Sequence, residues 1–124
     1  MYTILIVDDV KMNRRLLRKY VNHYYNDNIN IMEATNGFEA INMFVEHKPD
    51  LIFMDIVMPH CNGIEAITQI RHYENHYNLN HVPIIINSAG STDTIQNINK
   101  ILYHEKPISY NDIKILLQTC LKGV

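Results

Sequence analysis

No stretch of this 124-residue sequence approaches the roughly 18 to 20 consecutive apolar residues that a bilayer-spanning helix needs. The N-terminus also lacks the charged region and cleavage site of a secretory signal, so no membrane address is expected. Cysteine is scarce. Cys61 and Cys120 lie far apart and form no CxxC pair, which reads as a reduced, cytoplasmic protein and not as a disulfide framework. Long Lys/Arg runs are missing too. With a formal net charge of −2, direct binding to nucleic acid is not expected, because such binding draws its affinity from neutralised phosphates. Neither a linker nor an internal repeat divides the chain, and its length suits one domain over residues 1–124 with a core that needs no metal or disulfide staple.

What the sequence does contain is a regular alternation of β-branched apolar runs and helical stripes. Tyr2 to Val7 reads as a buried strand that ends in two acids, Asp8 and Asp9. From Lys11 the period turns helical, with Met12, Leu16, Tyr20 and Tyr24 as a stripe flanked by Leu17 and Val21, and with Arg14, Arg15, Arg18 and Lys19 facing elsewhere. A polar turn over Asn26 to Asn30 precedes a short strand, Ile31 to Ala34. Asn36-Gly37 opens a second helix through Ala40, Ile41, Phe44 and Val45, ending near Lys48-Pro49. Leu51 to Met54 are four consecutive apolar residues, a strand buried on both faces that delivers Asp55 to its C-terminal end. Gly63 to Tyr73 is the third helix, Asn75 to His81 a loop, and Val82 to Ile86 the fourth strand, which runs out into Asn87-Ser88-Ala89-Gly90. Ser91 can cap a short helix carrying Ile95 and Ile98; a last strand spans Ile101 to His104. Ser109-x-x-Asp112 then opens a final helix with Ile113, Leu116, Leu117, Cys120 and Leu121 inward.

Five alternations of strand and helix demand parallel strands with crossover helices on both faces. The expected fold is α/β: a doubly wound (βα)5 domain with a five-stranded parallel sheet in three layers, α/β/α. In such folds the carboxyl ends of the strands share one edge, so Asp8, Asp9, Asp55, Ser88 and Lys106 should meet there. Three carboxylates at one edge repel unless a cation shares them, and hard oxygen donors suit Mg²⁺, with Mn²⁺ as an alternative. A carboxylate beside such an ion is a competent nucleophile toward phosphorus when a lysine, here Lys106, helps neutralise the transferring oxygens. The hydroxyl of Ser88 could donate to the same oxygens.

At these residues the chain resembles the response-regulator receiver domains of two-component signalling. The resemblance rests on Ile4-Leu5-Ile6-Val7-Asp8-Asp9, Asn36-Gly37-Phe38-Glu39-Ala40, Met54-Asp55-x-x-Met58-Pro59-x-x-x-Gly63 and Lys106-Pro107, and covers nearly the whole chain. It implies a flavodoxin-like fold without an output domain, and a phosphoacceptor that takes a phosphoryl group on Asp55 from a histidine kinase or a histidine phosphotransfer domain. It implies Asp9 as a direct Mg²⁺ ligand with Asp8 assisting, the backbone carbonyl of Val57 as a further ligand, Ser88 and Tyr103 as a switch pair, and a cis Lys106-Pro107 bond. Asn13 and Arg14 are similar to receivers attached to hybrid histidine kinases. The state expected is a monomer or weak dimer, with the downstream partner unknown. The segment between Ser88 and Lys106 is shorter than is usual in the family, so the helix there should be short or irregular.

Two other readings stand beside this one. A pseudo-receiver would only bind a partner, and absence of phosphoryl uptake would mark it. A small aspartate-nucleophile phosphatase would need a second acid two residues after Asp55, where Val57 stands. His72 and His76 have the spacing of a metal pair but read as a polar helix end. Arg14, Arg15, Arg18 and Lys19 read as a solvated face, with a docking patch as the sharper option. A redox role for Cys61 is not expected.

Overall fold

The computed structural model describes residues 2–25, 28–56, 58, 62–88, 101–105 and 109–121. Among these residues nine elements follow one another: β1 (Tyr2–Val7), α1 (Lys11–Tyr25), β2 (Ile29–Ala34), α2 (Gly37–His47), β3 (Leu51–Met54), α3 (Gly63–His76), β4 (Ile84–Ser88), β5 (Ile101–Glu105) and α4 (Tyr110–Cys120). The strands form one parallel sheet in the order β2-β1-β3-β4-β5, the expected architecture. The helix expected after Ser91 lies outside the described residues.

The sheet is buried on both faces because side chains alternate across each strand. Leu5, Val7, Ile52, Met54, Ile84 and Ile86 pack on one face with Ala40 and Phe44 of α2 and Ala66, Ile67 and Ile70 of α3. Ile4, Ile6, Leu51, Phe53 and Ile85 pack on the other with Leu17 and Val21 of α1 and Ile113 and Leu117 of α4. Each helix start has a side-chain cap that satisfies an otherwise orphaned amide at α2, α3 and α4. Asn36 accepts from Glu39 N at 2.9 Å, Asn62 from Glu65 N at 2.9 Å, and Ser109 with Asp112 closes the expected capping box.

Four local expectations need correction. In α1, Met12 and Leu16 are exposed (70% and 38%). The buried stripe is one residue over, on Leu17 and Val21, with Tyr20, Tyr24 and Tyr25 at its margin. β2 begins at Ile29 and not Ile31, because Tyr2 and Thr3 give Ile29 and Asn30 partners in a parallel ladder. α3 runs past Tyr73 to His76. Its last turn is held by the buried Glu74, which accepts from Arg71 Nη1 at 2.7 Å and from Val82 N at 2.6 Å, while Arg71 Nη2 donates to the Val82 carbonyl at 2.7 Å. That same network occupies Val82 outside the sheet, so β4 starts only at Ile84.

Candidate functional site: an acidic pocket at the sheet edge

The strand order reverses direction between β1 and β3, and ligands of open α/β sheets bind beyond the carboxyl ends of the strands at such a point. Register fixes which residues arrive there. Val7 pairs with Ala34 on one side and Met54 on the other, and Met54 pairs with Ile86. The residues that follow, Asp8, Asp55 and Asn87, therefore stand side by side at the edge. Backbone bonds continue the ladder one step further, from Asp8 N to the Ala34 carbonyl (3.1 Å) and from Asp55 N to the Val7 carbonyl (2.9 Å).

Asp8, Asp9 and Asp55 converge, each offering a carboxylate oxygen within 4.8 Å of the other two. Asp8 and Asp55 are buried and Asp9 is exposed. At an effective dielectric of about 20, each pair of charges this close repels by about 3–4 kcal/mol. A hard divalent ion removes that cost, and its octahedral oxygens at about 2.1 Å span roughly 3–4 Å, so the pocket matches an oxygen-liganded cation with small side-chain rotations. Within the loop, Asp8 Oδ1 accepts from Val10 N at 2.9 Å, which aims the carboxylate back over its own turn.

Gly63 supports Asp55 from below. The start of α3 lies so close that a Cβ on Gly63 would stand 2.1 Å from the Asp55 carbonyl oxygen and 2.8 Å from Ile56 Cα, and Gly63 N donates to the Ile56 carbonyl at 2.9 Å. Only a residue without a side chain permits this approach.

Of the other residues read from the sequence, Ser88 closes β4 opposite Glu105, and Tyr103 lies in β5 opposite Ile86. Both are thus on the two strands flanking this edge. Val57, Lys106 and Cys61 lie outside the described residues. Asn87 is buried, and its amide oxygen accepts no hydrogen bond from the described residues. His72 and His76 sit exposed on α3, away from the sheet edge.

The basic face of α1 is solvated only in part. Arg15 and Lys19 are exposed, but Arg14 and Arg18 both bond Glu33 of β2, at 2.9 and 2.8 Å, and Arg14 Nη1 donates to the Asp8 carbonyl at 2.8 Å. Burial alone would raise the Glu33 pKa; the hydrogen bonds from Arg18 and Arg14, with their charges, more than offset it and hold the carboxyl below the usual glutamate range. A glutamate just before Ala34 in the neighbouring strand was the available sign.

The family model of the response regulator receiver domain matches residues 4–116. The chain belongs to that family. As a receiver domain it is a signalling module of the two-component kind. Among curated relatives it is 42% identical over 71 residues to the chemotaxis protein CheY of Halobacterium salinarum, a match covering 57% of each chain. It is 33% identical over 118 residues to the autoinducer 1 sensor kinase/phosphatase LuxN of Vibrio campbellii, covering 93% of this chain and 13% of LuxN. This receiver thus spans just over half of one of these relatives and a small part of the other. Among solved structures, it superposes with a TM-score of 0.83 and 26% identity on one from Saccharomyces cerevisiae. That structure is a complex of the histidine phosphotransfer protein Ypd1 with the receiver domain of the response regulator Ssk1, and the match covers 96% of this chain and 88% of that one. No helix among the described residues is long and apolar enough to cross a membrane.

Proposed function

We propose that this receiver domain accepts a phosphoryl group on Asp55 from a phosphohistidine of a histidine kinase or histidine phosphotransfer domain, and thereby switches a partner-binding surface. The observation that carries this is the convergence of Asp8, Asp9 and Asp55 at the β1/β3 switch point, with Asp55 buried at the end of the central strand. A carboxylate oxygen of Asp55 forms the new P–O bond as the donor's P–N bond breaks, and the electron pair stays with the departing imidazole. Asp8, Asp9 and Asp55, with the backbone carbonyl of Val57, would hold Mg²⁺ or Mn²⁺, which when bound supplies positive charge against the phosphoryl oxygens. Lys106 and the hydroxyl of Ser88 take the remaining oxygens in this reading. Tyr103 responds behind Ser88, so that added charge and acceptor oxygens bias a two-state arrangement of the surrounding chain.

The partner reading is supported by the surface beside the pocket. Val10, Met12, Leu16 and Phe38 are large apolar residues left exposed at the start of α1 and α2. Met12 and Leu16 are one turn apart and share a flank of α1. Exposed apolar side chains that follow directly on Asp9 and continue along α1 suit a helical donor protein, and the yeast complex pairs a receiver with a phosphotransfer protein. The cytoplasmic location expected from the sequence belongs to the same proposal.

Binding of beryllofluoride with Mg²⁺, a mimic of the aspartyl phosphate, tests the site. The wild-type chain should bind it, and Asp55→Asn should not. Equal binding by the two would sink the assignment of Asp55.

A further inference from the structure

Asp9 is the exposed member of the acidic pocket, so the direction of its carboxylate depends on the backbone that carries it. Asp8 has a local anchor in its bond from Val10 N. The peptide joining Asp8 to Asp9 has a different one: its carbonyl accepts from Arg14 Nη1 at 2.8 Å. From the same guanidinium, Nε donates to Glu33 Oε1 at 2.9 Å. The Arg14 side chain is only 12% exposed.

We propose that Arg14, locked by Glu33, is the positioning residue of the acidic loop. It fixes the Asp8–Asp9 peptide and, through it, the aim of the Asp9 carboxylate. The inference rests on the divalent-ion reading given above. A guanidinium is a rigid plane whose donors leave in set directions. Two bonds from one such plane therefore tie the loop to β2 in a single geometry. A lysine has the charge and three donors, but all on one nitrogen at the end of a flexible stem, so it cannot hold both partners in one fixed plane.

Glu33 has a second task in this arrangement. A lone cation beside a cation-binding pocket would oppose the ion, and the Glu33 carboxylate, which it shares with Arg18, offsets part of that charge at contact distance. Arg18 holds the other oxygen, with Nε on Glu33 Oε2 at 2.8 Å and Nη2 on the Ile31 carbonyl at 3.3 Å. Arg18 thus shares the network with Arg14 but makes no bond to the Asp8–Asp9 peptide. That difference separates positioning from mere support of the fold.

The experiment is a Mn²⁺ titration of the chain, following the free-ion paramagnetic resonance signal, on wild type, Arg14→Lys, Arg18→Lys and Glu33→Gln, with a thermal melt of each without metal. Loss of a residue that orients metal ligands weakens binding by about tenfold or more. Arg14→Lys and Glu33→Gln should show that loss. Arg18→Lys should stay within about twofold of wild type while its melting temperature falls as far as that of Arg14→Lys. If Arg14→Lys does not fold, Glu33→Gln, which frees the same guanidinium, carries the same expectation. The proposal is overturned if Arg14→Lys and Glu33→Gln bind Mn²⁺ as wild type does, or if Arg18→Lys weakens binding as much as they do. A wild-type chain that takes up no Mn²⁺ would overturn the underlying metal reading instead.

Discussion

Replacing Gly63 by alanine sets two ordinary rules against each other. In the first turn of a helix alanine is normally the better residue, by up to about 1 kcal/mol, chiefly because it restricts the unfolded chain. That effect alone would stabilise the protein. The structure predicts the opposite sign. The new Cβ would lie 2.1 Å from the Asp55 carbonyl oxygen and 2.8 Å from Ile56 Cα, where real Cβ atoms keep at least 3.0 Å. Both neighbours are backbone and cannot rotate away, so the helix start and the Asp55 peptide must part by about 1 Å, and overpacking of this kind costs about 3 kcal/mol. Parting them also stretches the 2.9 Å bond from Gly63 N to the Ile56 carbonyl, at about 1 kcal/mol. The net is a loss of about 3 kcal/mol, which for a domain of this size lowers the melting temperature by roughly 9–15 °C. Circular dichroism melts of wild type and Gly63→Ala, both without divalent ions, measure it directly. A melting temperature equal to or above wild type would refute the close approach between α3 and the Asp55 loop.

The other predictions concern charge. Glu74→Gln removes the buried carboxylate charge that pairs with the Arg71 guanidinium, and breaking a buried pair costs about 3–5 kcal/mol; urea unfolding should show the midpoint fall with an unchanged slope, and a loss below about 1 kcal/mol would contradict the network. Because the Glu33 pKa is depressed in the folded state, its contribution is present above the unfolded glutamate pKa and fades as pH falls through the lower folded value. Melting temperatures of Glu33→Gln should therefore be lower than wild type at neutral pH, with the gap closing on acidification; a gap that widens would show the sign to be wrong.

Elements with a strong one-dimensional signal were legible in the sequence. Leu51 to Met54 could be read as a doubly buried strand because nothing polar interrupts it, and parallel topology then placed Asp55 beside Asp8 without any knowledge of contacts. The Ser109 capping box was equally local and equally readable. The errors share a physical cause. In α1, two candidate stripes one residue apart, Met12-Leu16 and Leu17-Val21, are both apolar, and only the docked position on β1 and β2 decides which is buried. Met12 and Leu16 stay outside. Arg14 and Glu33 are far apart in sequence and meet only because β2 pairs with β1. The burial of Glu74 depends on a backbone amide eight residues later, which no periodicity reports. The extra sheet residues at the start of β2 follow from a partner strand, not from their own propensity.

The central claim is that Asp55 becomes covalently phosphorylated. Incubating the chain with a small-molecule phosphodonor and Mg²⁺, followed by intact-mass measurement and mapping of the modified residue, tests it most directly. The account predicts one added phosphoryl group, carried by Asp55, lost on omission of the divalent ion and absent from Asp55→Asn. A chain that gains no phosphoryl mass under these conditions, or one that gains it equally well as Asp55→Asn, would contradict it and favour a receiver fold that serves only as a binding module.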